Sequence, residues 1–210
     1  MILLVHGLGV GRRYFDPLAA ELDGDVVRPQ IREPEPVPEL AERWAAALPG
    51  PALVVANSMG CQVAAELAVR RPELVEALVL VGPTVDPRAR GLARNVVRLV
   101  ADSWYEPPRL TGIVIRDYLS LGPVTTLRQA RRALEHRIEE VLPRIAQPAV
   151  VVRGAHDPIC SAAWAREAAA LLPEGRLVTI AGAAHAAHFS HPREVARIVS
   201  GLRGTPAAGG

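Results

Sequence analysis

The chain has only two cysteines, Cys61 and Cys160. That is too few for a disulfide framework, and a reduced, cytoplasmic setting is the default expectation. An excess of one charge is also missing: 24 basic residues, all arginine, stand against 22 acidic ones, for a net charge of +2. Such a balance offers no electrostatic basis for nucleic-acid binding. No apolar run approaches the ~20 residues of a membrane span. The apolar start, Met1-Ile2-Leu3-Leu4-Val5, stops at His6-Gly7 with neither a basic leader nor a cleavage site, so no signal peptide is expected. Aromatic residues number only eight. Apolar residues, by contrast, make up half of the 210 positions, enough for one domain with a sizeable core.

The most telling stretch is Val54-Val55-Ala56-Asn57-Ser58-Met59-Gly60-Cys61-Gln62. An apolar run ends abruptly at Ser58, a glycine follows two residues later, and a helical pattern begins. Strand, sharp turn with a serine at its tip, then helix is the layout of a nucleophile elbow. Small neighbours are needed because such a turn crowds the backbone. Gly60 meets that need, and Ala56 stands where the Gly-x-Ser-x-Gly pattern has its first glycine. A buried loop serine would carry the same five residues, so the rest of the chain must decide.

Short apolar runs of the kind shown by buried parallel strands lie at 2–5, 26–27, 52–56, 77–81, 149–152 and 177–180. Helical patterns alternate with them at 12–22, 40–48, 62–71, 162–172 and 192–202. Alternation of this kind predicts a three-layer α/β/α sandwich around about six parallel strands, with Val26-Val27 at an exposed edge that Pro29 blunts. Residues 85–145 break the alternation with helical periodicity alone, so the core is expected at 1–84 and 146–203 with an all-helical insertion between. Residues 204–210 read as a disordered tail.

In an open α/β sheet the loops at the carboxyl ends of the strands carry the chemistry. Three such loops supply what nucleophilic catalysis by serine requires: Ser58 to attack, His185 to take its proton, and Asp157 to hold the histidine. Oxyanion donors are available from the backbone N–H groups of Met59 and of Leu8, the latter in the glycine-rich His6-Gly7-Leu8-Gly9 loop. Asp86, just past the strand at 77–81, is the rival for the acid. His188 and His191 form a His-x-x-His-x-x-His run with His185, but no carboxylate or thiol completes a metal-ligand set. His6 reads as a stiffener of its loop, His156 as a loop residue pointing away, and the two cysteines as packing. Of the aromatic residues, Trp104, Tyr105 and Tyr118 fall in the insertion, which suggests either an apolar substrate surface or packing onto the core. Gly7 and Asn57 are further candidates for substrate contact. Arg88, Arg90, Arg94 and Arg98 read as a solvated face or a carboxylate-binding patch.

Taken together, His6-Gly7-Leu8-Gly9, Asn57-Ser58-Met59-Gly60, Val81-Gly82-Pro83-Thr84, Arg153-Gly154-Ala155-His156-Asp157-Pro158 and Gly182-Ala183-Ala184-His185 resemble the α/β-hydrolases of the lid-bearing esterase and meta-cleavage C–C hydrolase type. The order serine, aspartate, histidine is that family's order. The resemblance implies that residues 85–145 form a lid. It implies hydrolysis of a carboxylic ester, thioester or lactone, with C–C bond hydrolysis as the alternative. A cyclase, a lyase or a ligand-binding protein on the same fold is a third reading. The expected substrate is a small, apolar molecule, and no metal or organic cofactor is implied. Two departures stand out. The strands that usually precede the His-Gly loop are absent, leaving an edge through which a homodimer is expected. The segment Arg28-Pro29-Gln30-Ile31-Arg32-Glu33-Pro34 also replaces the family's usual loop after the next strand.

Overall fold

The computed structural model describes residues 1–30 and 33–203. Six strands form one sheet: β1 (Ile2–Val5), β2 (Val26–Val27), β3 (Ala52–Asn57), β4 (Val75–Val81), β5 (Ala149–Gly154) and β6 (Gly175–Ile180). All pairings are parallel, in the order β2-β1-β3-β4-β5-β6, and β2 is the short edge. The six parallel strands, the edge position of β2 and the layered architecture are as expected from the alternating pattern.

Burial on both faces explains why the strands read as continuous apolar runs. Along β3, Val54 and Ala56 point into one cluster with Trp44 and Trp164, while Leu53 and Val55 point into the other with Phe15 and Val199. The first cluster lies under α2 (Val37–Ala46), α3 (Met59–Arg70) and α8 (Ala162–Leu171); the second lies under α1 (Asp16–Glu21), α9 (Ala187–Ser190) and α10 (Pro192–Arg203). Two-residue side-chain alternation thus supplies two cores from one sheet.

Local details depart from the sequence expectations for identifiable reasons. The helix expected over 12–22 is split into a 3-10 turn, Arg12–Phe15, and α1. Pro17 lies at the start of α1, and its ring cannot share a helix with the carbonyl one turn earlier. The helix expected at 40–48 begins at Val37, with Pro36 and Pro38 around its first turn. Between β4 and β5 run α4 (Leu92–Asp102), α5 (Pro108–Leu121), α6 (Pro123–Glu135) and α7 (Ile138–Val141). Ile138, Leu142 and Ile145 are fully buried within the first core cluster, so the core resumes before residue 146. The expected tail at 204–210 lies outside the described residues, as do Ile31 and Arg32 of the replaced loop. No helix among the described residues is long and apolar enough to cross a membrane.

The crossover order matters for function. From β1 the chain steps outward to β2, then returns past β1 to β3. The loops after β1 and β3 therefore diverge, leaving a crevice at their carboxyl ends. His6-Gly7-Leu8 and Ser58 occupy that crevice.

Candidate active site

Ser58 is the single residue between β3 and α3. Its backbone has φ 57° and ψ −124°, and it is the only non-glycine residue with positive φ among those described. Such a conformation costs about 1–3 kcal/mol and persists where the surroundings impose it. The Ser58 N–H donates to the Val81 carbonyl at 3.0 Å, and its carbonyl accepts from the Cys61 N–H at 3.0 Å. Gly60 is required by contact: a Cβ there would strike the carbonyl oxygen of Val5. Met59 opens α3, so its N–H has no intrahelical acceptor and is available to an anion.

Asp157 follows β5 and is 3% exposed. Its Oδ1 accepts from the N–H groups of Ile159 (2.7 Å) and Cys160 (2.9 Å). The Arg153 guanidinium ties the loop by donating to the carbonyls of Cys160 and Asp157. Held in this way, Asp157 turns Oδ2 to His185 Nδ1 at 2.9 Å. The contact favours the tautomer with its proton on Nδ1 and leaves Nε2 as the acceptor. Nε2 makes no hydrogen bond among the described residues. Burial pulls the imidazole pKa down, but the Asp157 carboxylate, followed by Asp102 and Glu106, outweighs it and raises the value to about 9. The pair rests directly on backbone: a Cβ on Gly82 would lie 2.8 Å from His185 Nδ1 and 3.1 Å from Asp157 Oδ2.

His185 and Ser58 open onto one cavity of about 420 Å³. Gly7, Leu8 and Met59 line its floor; Leu99, Leu110 and Tyr118, from α4 and α5, line its roof. Among the described residues, no arginine lines it.

A family model for the alpha/beta hydrolase family matches residues 2–198. The chain belongs to the alpha/beta hydrolase family. Two curated relatives of this α/β-hydrolase are pimeloyl-[acyl-carrier protein] methyl ester esterases. That of Aromatoleum aromaticum is 27% identical, the match covering 94% of this chain and 96% of the relative. That of Neisseria meningitidis is 26% identical, over 94% and 90%. Among solved structures, an esterase from Thermogutta terrifontis aligns with TM-score 0.79 at 20% identity, covering 96% of this chain and 88% of the other. The enol-lactonase of Burkholderia xenovorans LB400 aligns with TM-score 0.80 at 18% identity, covering 97% and 91%. At these identities the structural matches speak for the fold alone.

The other candidates named from sequence sort clearly in this α/β-hydrolase. Asp86 is engaged elsewhere: it accepts from the Arg88 N–H and the Ser161 hydroxyl, each at 3.0 Å, and caps the turn Pro87–Ala89. Asn57 borders the cavity, but its side chain is committed to structure. Its Oδ1 accepts from the Tyr14 hydroxyl at 2.9 Å, and its Nδ2 donates to the carbonyls of Val81 and His185, each at 3.1 Å. Trp104 and Tyr105 are a correction, since neither lines the cavity. Trp104 is 86% exposed, and Tyr105 lies outside, stacked on His156 with ring centroids 5.6 Å apart.

His188 is fully buried between Tyr14 and Phe15, and burial drops its pKa to about 3. The His191 carbonyl accepts the Val195 N–H at the start of α10. No cluster of three or more metal-ligating side chains occurs among the described residues. His6 holds its ring edge-on to Trp44, with Nδ1 3.0 Å from the Gly7 carbonyl. Burial pushes both thiols well above their ordinary range, so Cys61 and Cys160 act as packing. Arg88 pairs with Glu167 at 2.7 Å and Arg90 with Glu139 at 2.5 Å, away from the cavity.

Two site residues escaped the sequence reading. Asp102 and Glu106 flank the exposed Ser103-Trp104-Tyr105 turn, yet are only 6% and 8% exposed and line the cavity. Asp102 Oδ1 accepts from the His185 N–H at 3.1 Å, and Glu106 Oε1 from the Ala186 N–H at 2.6 Å. Burial, the main cause, raises their pKa values to about 6 and about 7. A pattern reading sends acids outward and aromatics inward, and this turn reverses both.

Proposed function

We propose that this α/β-hydrolase cleaves carboxylic esters through an acyl-enzyme on Ser58, with thioesters and lactones as related substrates. The observation that carries the reading is the 2.9 Å bond between Asp157 and His185 beside the strained Ser58 turn, all opening onto one apolar cavity. His185 Nε2 takes the proton from the Ser58 hydroxyl as its oxygen attacks the carbonyl carbon. The N–H groups of Met59 and Leu8 receive the oxyanion. His185 then protonates the leaving alkoxide, and a water activated by the same nitrogen releases the acid. Asp157 keeps the imidazole in its working tautomer and faces the imidazolium that forms.

The helices α4, α5 and α6 act as a lid, since they roof the cavity between the two halves of the core. Their apolar lining, with Tyr118 among it, suits an apolar acyl or alkyl group, and the absence of arginine among the described lining residues favours a neutral one. Methyl esters of medium-length acyl chains, including carrier-bound ones of the kind named for the curated relatives, are the first substrates to try. Asn57, in the Asn57-Ser58-Met59-Gly60 stretch shared with the C–C hydrolases, has its side chain bonded to Tyr14, Val81 and His185, which leaves ester cleavage ahead. Two buried, unpaired cysteines fit a reducing compartment. The two-residue edge strand β2 is the surface for a homodimer; a concentration-independent monomer mass by light scattering would count against it.

The deciding experiment is labelling with a fluorophosphonate probe. Wild type should react and Ser58→Ala should not. A folded wild-type protein that resists the probe removes the acyl-enzyme reading. A panel of methyl esters, thioesters and lactones then ranks the substrate classes.

A further inference from the structure

Beyond the serine, histidine and aspartate, we infer that Asp102 and Glu106 are positioning residues: they couple the helical segment over the cavity to His185 by holding the backbone of its loop. This rests on the reading of His185 as the catalytic base.

The loop between β6 and α9 carries His185 without strand or helix pairing at that point. Its two consecutive N–H groups, at His185 and Ala186, need acceptors because the loop is buried. Both acceptors come from the far side of the cavity, from the end of α4 and the turn after it. A serine or asparagine would also accept an N–H bond. Carboxylates at both positions are the more costly solution in a largely apolar cavity. They add what a neutral acceptor lacks, negative charge facing an imidazole that must become imidazolium.

The ionisable groups around that ring come from every side. Asp157 contributes from the β5 loop, Asp102 and Glu106 from the roof, Tyr14 from the turn before α1, Tyr118 from α5 and His188 from α9. Of these only Asp102 and Glu106 combine charge with a bond to the loop's own backbone. Because they ride on the roof, displacing it removes both the hold on His185 and two of its three facing carboxylates. The base is then complete only while the roof is docked, which links catalytic competence to closure over substrate.

The test uses the full chain. The His185 ring is titrated by NMR in wild type, Asp102→Asn, Glu106→Gln and the double variant, with the resonance assigned from His185→Asn. The midpoint should fall from about 9 in each single variant and furthest in the double. In parallel, Asp102→Ala and Glu106→Ala should slow fluorophosphonate labelling of Ser58 by about tenfold or more, roughly 1.4 kcal/mol on the barrier. The amide variants, which keep an acceptor oxygen for the N–H, should restore most of that rate. An unmoved His185 midpoint in a folded double variant overturns the inference, as do alanine variants that label at the wild-type rate. If the alanine variants do not fold, the isosteric amides decide through the titration alone. If wild type is never labelled while the midpoint still shifts, the acyl-enzyme reading fails and the coupling stands.

Discussion

The sheet and the α4–α6 segment are held by different forces. In β3, β4 and β5 nearly every side chain is buried, with Val54, Val55, Val79, Leu80 and Val151 at 0% exposure. In the helical segment, Val97 is 68% exposed, Leu119 78% and Trp104 86%. Few apolar anchors, such as Leu110 and Ala133, reach inward. Much of what joins the segment to the core is polar instead. Gly9 donates to Gln129, Gly11 to Asp117, and Gln62 to the Ala133 carbonyl, besides the two bonds to the His185 loop. Apolar burial is non-directional and makes a rigid platform. Directional bonds at a cavity rim can be exchanged for water without exposing a core. The proposed site sits at the seam between the two.

The contrast can be broken from the platform side first. Ser58→Ala should lower ester turnover by about 10⁴-fold or more, and Asp157→Asn by about 10⁴-fold, as steady-state kinetics would show. Asp86→Asn should turn over at a rate comparable to wild type. An Asp157→Asn enzyme with full activity would move the acid elsewhere.

Next in size is the platform's stability. Leu80→Ala removes a fully buried strand side chain and should cost about 2–5 kcal/mol in urea denaturation.

The seam should respond to pH. Asp102, Glu106 and His185 all bind protons more tightly folded than unfolded, with values near 6, 7 and 9. The raised acids therefore contribute stability that is complete at low pH and lost as pH climbs through about 6 and about 7. The raised histidine contributes stability that is complete below its unfolded value and lost as pH climbs through about 9. Glu106→Gln should flatten the loss between pH 4.5 and 8, stabilising the protein by about 1–3 kcal/mol at pH 8 and scarcely at pH 4. In activity, the ascending limb governed by neutral His185 should move to lower pH in the same variant. A limb that stays in place would separate the seam from the base.

The smallest effect belongs to the exposed helices. Leu119→Ser should change stability by no more than about 0.5 kcal/mol, measured by the same urea midpoint. A cost near that of Leu80→Ala would mean the segment is built like the sheet after all.

Much of the site was legible without coordinates because its parts are local. Strands buried on both faces announce themselves as short apolar runs, and each catalytic candidate stands in the loop just after one. Ser58 carries its own turn signal in Gly60, where the Val5 carbonyl excludes any side chain. The parallel order followed from alternation with helices. The choice between Asp157 and Asp86 was another matter, since both follow strands and only the direction of a carboxylate separates them. Trp104 and Tyr105 misled because periodicity reports which residues share a helix face, and these two lie in a turn just beyond one.

What the sequence alone determined, then, is the platform: six parallel strands, the sharp turn at Ser58, and a candidate base and acid at strand ends. Those features depend on contacts within a strand, a turn or a neighbouring helix, which composition and spacing express directly. Tertiary structure alone decided what roofs the site. Asp102 and Glu106 reach His185 and Ala186 across eighty or more positions of chain. No local pattern encodes that meeting, because burying a carboxylate opposes its own hydration and is repaid only by partners that the fold brings from elsewhere.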